Sequence, residues 1–170
     1  DALQVGDKIA TPRKLDLSII ENNPMSLDEL TLLAHLIGDG CILPKQPYHY
    51  TSADMQNLTA VQQAAFNLFA IEAKIVPQGN YYHLYLPAPY HLTHNVKHPI
   101  TNWYNKLGLD RVRSYEKCLP KTLFNCSDLY IAHFIRHLWA TDGNISWKKI
   151  TGRKDSAAIY YASSSIQLAK

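Results

Sequence analysis

The stretches Leu32–Gly40 and Ile135–Gly143 are one device written twice, an apolar helical run closed by Asp-Gly. A helix C-terminus exposes unsatisfied carbonyls and the negative end of the macrodipole, so Lys or Arg is the expected residue there and Asp is disfavoured unless a cation is coming. The glycine after each Asp predicts a left-handed residue just past the helix end. Asp39 and Asp142 stand 103 positions apart, and their flanks repeat as well. Ile42 and Tyr48-His49-Tyr50-Thr51-Ser52 follow the first; Ile145 and Tyr160-Tyr161-Ala162-Ser163-Ser164 follow the second. This is the signature of an internal duplication. Ala34 and Gly38, four apart, lie on one helical face and let a partner helix approach closely. If the two helices pack side by side in one direction, both carboxylates reach one end and call for divalent cations between them.

With these blocks the chain resembles the LAGLIDADG homing endonucleases in their two-repeat, single-chain form. Ala34 stands where that family usually has glycine, His137 where it has a small residue at the helix crossing, and Thr141 where it has alanine. Arg113-Ser114-Tyr115-Glu116-Lys117-Cys118-Leu119-Pro120 is similar to the Lys-x-apolar-Pro block that intein-borne members carry upstream of the second motif. The resemblance implies an α+β fold of two pseudo-symmetric αββαββ repeats packed through paired motif helices, with Ala34, Gly38, His137 and Thr141 at the interface and the second repeat incomplete. The divisions then fall at 1–22 (end of an N-terminal splicing block and linker), 23–124 (first repeat) and 125–170 (start of the second). It also implies Mg²⁺ held by Asp39 and Asp142 beside Gly38 and Thr141, with Lys117 as a catalytic lysine and a second lysine beyond Lys170. The implied activity is double-strand cleavage across the minor groove at an intein insertion site, by an enzyme embedded in a self-splicing intein.

The first residues fit that picture. Ala2 to Leu15 reads as a turn followed by a short strand, and Ala10-Thr11-Pro12-Arg13-Lys14-Leu15 is similar to inteins lodged in replicative DNA helicases, which makes such a helicase the expected host protein. No splicing junction residues are present, and His94-Asn95 precedes Val96, which is no acceptor nucleophile. Two other readings stand beside the nuclease: a catalytically inactive DNA-binding or structural module of the intein, and a transcriptional regulator sharing the fold.

Composition sets the bounds. With 46% hydrophobic residues among 170, the chain can bury a real core. A formal charge of +3 permits nucleic-acid binding without demanding it. Cys41, Cys118 and Cys126 form an odd set without zinc spacing, and no run is apolar enough to span a membrane, so an intracellular, reducing, cytoplasmic setting is expected. His91, His94 and His98 lie between Pro89 and Pro99, which argues for a loop rather than a metal-binding helix.

Local signals place the elements. Ser26 and Glu29 make a capping box before the first motif helix, and Ser127-Asp128 opens the second. A helix is predicted from about Asp54 to Lys74, a strand over Tyr81–Leu86, and a short helix from Ile100 to Leu107 stopped by Gly108. Duplex DNA needs a positively charged concave surface, and a two-stranded ribbon fits its major groove. The expected contacts are Lys45, Gln46, Tyr48 and His49 in the first copy, with Lys148, Lys149, Arg153 and Lys154 at the matching turn of the second; Arg111, Arg113 and Lys121 are expected to grip backbone near the centre.

Overall fold

A computed structural model describes residues 23–149, 151–152 and 154–169; the expected splicing block at 1–22 and the DNA contact at Arg153 lie outside the described residues. The first motif helix, α1 (Leu27–Ile37), starts where Ser26 and Glu29 exchange hydrogen bonds: Glu29 N–H donates to Ser26 Oγ at 3.2 Å and Ser26 N–H to Glu29 Oε2 at 2.8 Å. The same Glu29 accepts from Trp103 Nε1 at 3.0 Å, so the cap also anchors a later helix. Every residue from Leu30 to Ile37 is buried, which makes α1 the central element of the core. The second motif helix, α4 (Asp128–Asp142), packs along it. Between them come β1 (Gly40–Cys41), β2 (His49–Ser52), α2 (Met55–Phe69), β3 (Lys74–Gln78), β4 (Tyr81–Tyr85) and α3 (Pro99–Lys106); β5 (Gly143–Lys148), β6 (Ser156–Tyr161) and α5 (Ile166–Ala169) follow α4. The class is α+β, and the first half runs α-β-β-α-β-β before α3.

The first half forms a four-stranded antiparallel sheet ordered β1-β2-β4-β3, with His49 opposite Tyr85 and Thr51 opposite His83. Its inner face carries Tyr50 and Leu84 into the core, where Leu58, Val61, Ala64 and Ala65 of α2 meet them. The second half contributes the two-stranded ribbon β5-β6.

Several local expectations change. The predicted helix to Lys74 ends at Phe69, because Ala70 turns left-handed (φ 54°) and the Ile71 amide reaches back to Ala65 O at 3.4 Å. Lys74 instead opens β3, which tolerates Pro77 because it is an edge strand. Ser127 precedes α4 but its side chain caps nothing; Asn23 Oδ1 accepts from the Ser127 amide at 2.7 Å. Gly40 and Gly143 are not left-handed either. Gly143 is extended, and a Cβ there would enter the Trp139 indole, while one at Gly40 would overlap the Leu36 backbone. Those glycines serve close approach.

Candidate functional site

The two motif helices run parallel, as their cross-contacts advance together. Thr31 Oγ1 bonds His133 Nε2 at 2.8 Å, His35 Nε2 bonds His137 Nδ1 at 3.0 Å, and one turn on Gly38 lies so close to Thr141 that a Cβ would collide with its side chain. Ala34, between them, is fully buried. Asp39 and Asp142 therefore emerge at the same end and line one cleft of about 520 Å³ together with Gly38, Tyr161 and Leu168. Enclosure of the carboxyl group and then the neighbouring Asp142 push the Asp39 pKa up to about 6, with Lys117 pulling the other way, although the residue as a whole is exposed. The two carboxylates are oxygen donors, the hard-donor chemistry of Mg²⁺ or Ca²⁺, whereas the Gly38 carbonyl accepts from the Lys117 ammonium at 3.1 Å. The Thr141 hydroxyl donates to Leu138 O at 2.6 Å, so it is already engaged.

Lys117 sits in this site differently from a phosphate-facing lysine. It is only 4% exposed, and its ammonium lies 2.8–3.1 Å from four carbonyl oxygens, those of Leu36, Ile37, Gly38 and Gly40. These are the orphan acceptors of the α1 C-terminus, so Lys117 closes that helix from across the fold. Burial lowers its pKa to about 8 against the attraction of Asp39, Cys41 and Asp142. In this arrangement it positions the loop that carries Asp39.

The other expected cations and ribbon residues divide the same way. Arg111 donates to Ile42 O at 3.3 Å, to Gln46 O at 2.7 Å and to Leu43 O, and its guanidinium stacks on the Tyr48 ring at 4.2 Å. It is the clasp of the 42–46 turn. Tyr48 is 3% exposed and bonded to Thr101 Oγ1, so it belongs to the core and cannot reach a base edge. Lys45, at positive φ, and Gln46 are exposed on the turn; Arg113, Lys121, Lys148, Lys149 and Lys154 are exposed as well. His98 caps α3 by accepting from Ile100 N–H at 3.2 Å while its Nε2 bonds Leu86 O; His91 and His94 stay on the loop surface. Among the described residues no group of three or more His, Cys, Asp or Glu side chains converges on a common point.

Sequence reasoning named His49 but missed its neighbours on the outer face of the first sheet. Tyr81, His83 and Tyr85 of β4 lie on it beside His49 and Thr51 of β2: His83 is 4.8 Å from His49 and 5.5 Å from Tyr81 between ring centroids, and Thr51 Oγ1 bonds His83 Nδ1 at 2.9 Å. The period-two run Tyr81-x-His83-x-Tyr85 was the available signal. His49 and Thr51 also line a groove of about 900 Å³ that continues through Cys41 to Asp39, so the aromatic face and the acidic cleft are one continuous surface.

No protein-family model matches the chain. It is 43% identical over 172 residues to the replicative DNA helicase DnaB of Synechocystis sp., covering the whole chain and 19% of that protein. It is 42% identical to DnaB of Rhodothermus marinus, again along the whole chain and 18% of the relative, and 38% identical to DnaB of Nostoc sp. over 99% of the chain. These findings correct the expectation of a homing endonuclease in a self-splicing intein, since the relatives aligned along the chain are replicative DNA helicases by name and none is named an endonuclease or an intein. Among the described residues no helix is long and apolar enough to cross a membrane. The chain is thus similar to a stretch that makes up less than a fifth of each of these helicase polypeptides.

Proposed function

We propose that the chain is a LAGLIDADG-like, duplex-DNA-docking module of a replicative-helicase polypeptide, with a divalent-cation centre at the shared end of α1 and α4. The observation that carries this reading is the delivery of Asp39 and Asp142 into one cleft by parallel helices, continuous with a groove that leads to the His49–His83 sheet face. The sheet face offers flat π surfaces, imidazole donors and acceptors, and flanking cations at Lys45 and Lys74, a mixture suited to base edges and phosphates. Two carboxylates facing a polyanion repel it. Mg²⁺ held by Asp39 and Asp142 reverses that local sign and turns the centre from a barrier into a phosphate-binding point. Lys117 and Arg111 hold the loops that carry these groups rather than the DNA itself.

Fluorescence anisotropy with a labelled random-sequence duplex tests this reading. Binding is expected to weaken steeply with salt and to tighten when Mg²⁺ is added. Asp39→Asn together with Asp142→Asn is expected to raise Mg²⁺-free affinity and to remove the Mg²⁺ response. His83→Ala, on the outer sheet face, should weaken binding with or without Mg²⁺. Duplex affinity that is indifferent to both sets of substitutions overturns the proposal.

A further inference from the structure

Histidines deeper in this fold have both ring nitrogens engaged. His35 bonds Tyr50 Oη and His137, and His98 bonds the Ile100 amide and Leu86 O. His49 and His83 differ. They stand on one diagonal across β2 and β4, half-buried on the outer sheet face, and each bonds through Nδ1 alone: His49 to Pro47 O at 3.2 Å, His83 to Thr51 Oγ1 at 2.9 Å. A carbonyl only accepts, so the proton of the neutral His49 ring resides on Nδ1 and its Nε2 is a bare lone pair. The Thr51 hydroxyl can accept from His83 Nδ1 in the same way, which bares the second Nε2. Among the described residues neither Nε2 atom has a hydrogen-bond partner. Burial first, and then His83, lower the His49 pKa against the pull of the Pro47 bond, so the ring is neutral at neutral pH.

A metal-binding imidazole needs this pattern: one nitrogen anchored on an oxygen acceptor, which fixes the tautomer and the ring orientation, and the other free. The spacing agrees. A metal–nitrogen bond of about 2.0–2.1 Å puts an imidazole centroid about 3.2 Å from the ion, so two rings meeting there at about 90–110° have centroids about 4.5–5.2 Å apart. The His49 and His83 centroids are 4.8 Å apart, with the ring planes crossed at 77°. His133 and His137 are as close, at 4.6 Å, but each has one nitrogen tied into the seam between α1 and α4, which leaves a mismatched Nδ1 and Nε2. Neutral imidazole is a borderline donor, which selects Zn²⁺ or Cu²⁺ over Mg²⁺. Cys41 is in register with His49 too, yet from β1, the strand on the other side of β2 from β4. With two protein ligands, the remaining positions of the ion stay open to water or to a donor atom of a bound molecule.

We propose that His49 and His83 bind one divalent transition-metal ion of the Zn²⁺ class through their Nε2 atoms. This site is independent of duplex binding and of the hard cation at Asp39 and Asp142, and it is tested without DNA. Calorimetric titration of ZnCl₂ into the chelator-treated 170-residue chain at neutral pH, with Mg²⁺ in excess, is expected to show saturable uptake of one ion per chain. His49→Gln or His83→Gln is expected to weaken that uptake about tenfold or more, and Thr51→Val, which removes the oxygen that orients His83, by a smaller factor. Cys41→Ser, His133→Gln and His91→Gln/His94→Gln should leave it unchanged. In the unsubstituted chain, imidazole nitrogen NMR spectra should show Zn²⁺ moving the Nε2 resonances of His49 and His83 while both Nδ1–H groups persist, a readout that does not depend on a variant folding. Absence of saturable binding, or Nε2 resonances that ignore Zn²⁺, overturns the proposal. So does uptake that survives both His49→Gln and His83→Gln, or uptake that Cys41→Ser, His133→Gln or Asp39→Asn/Asp142→Asn abolishes, since the ion is then held elsewhere.

Discussion

Acidification is expected to weaken the helix pair through His35 and His137. His35 is fully buried; its Nδ1 lies 3.1 Å from Tyr50 Oη while Nε2 meets His137 Nδ1, so a neutral ring donates in one direction and accepts in the other. A second proton on the ring that accepts in the shared bond removes its acceptor, and protonation of both rings sets two N–H groups against each other. The groups facing the pair are His133 and Arg136 on α4, Tyr50 on β2 and Asp54 ahead of α2, and only Asp54 favours the cation. Burial first, then the neighbouring cationic groups, lower both pKa values from 6.5 to about 4. A histidine with a depressed folded pKa takes up its proton more readily when unfolded. Stability is therefore intact above pH 6.5 and lost as the pH falls from 6.5 toward 4. Between pH 7.5 and 5.0 the integrated linkage is about 2 kcal/mol for His35. The half-exposed His137 adds about 1 kcal/mol once solvent screening is allowed for. Asp39, whose raised pKa gives the opposite sign in the same window, cancels when wild type is compared with His35→Gln/His137→Gln. Urea titrations at the two pH values should show the wild type losing about 3 kcal/mol more than the variant, a midpoint difference of about 1.5 M for a slope near 2 kcal/mol/M. Equal losses in the two proteins refute the argument.

Arg111→Met keeps the apolar stem over Tyr48 but leaves the carbonyls of Ile42, Leu43 and Gln46 without their donor; a loss of about 2–3 kcal/mol is expected in the same titration. Gly38→Ala should destabilise the helix pair, and Thr141→Gly in the same molecule should restore part of the loss, a coupling that a double-mutant cycle measures directly. Lys117→Met should speed amide exchange at the end of α1 and in β1, whereas Lys121→Met, at an exposed position, should leave that exchange unchanged.

Signals that act within a few residues were legible. The Ser26–Glu29 box marks the start of α1, and the Asp-Gly endings locate the two helices whose meeting forms the cleft. What the sequence hid depends on distant chain. Ala70 ends α2 in a conformation that glycine would have advertised, and β3 contains a proline that only an edge position permits. Lys117, Arg111 and Tyr48 carry the residue types of a DNA surface, yet the two cations bond turn and helix-end carbonyls about seventy to eighty residues earlier, and the buried Tyr48 hydroxyl pairs with Thr101. A cation's partner is set by where unsatisfied acceptors collect, and local pattern is silent about that. The expected cleavage chemistry rested on family likeness rather than on a contact, and comparison with the helicases corrected it.

Lys117 touches both halves at once. Its ammonium closes α1, and its carbonyl accepts from Ser165 Oγ ahead of α5, while Thr31–His133 and His35–His137 stitch the helices along their length. Duplicated units often keep separate melting transitions, like beads on a string. Here neither unit can open its end of the central pair without releasing groups that belong to the other. The molecule should therefore unfold in a single cooperative step, with amides of α1 and α4 sharing one global opening free energy. The halves built on α1 and α4 should therefore behave as one indivisible folding unit, and the residue joining them lies in the segment between α3 and α4.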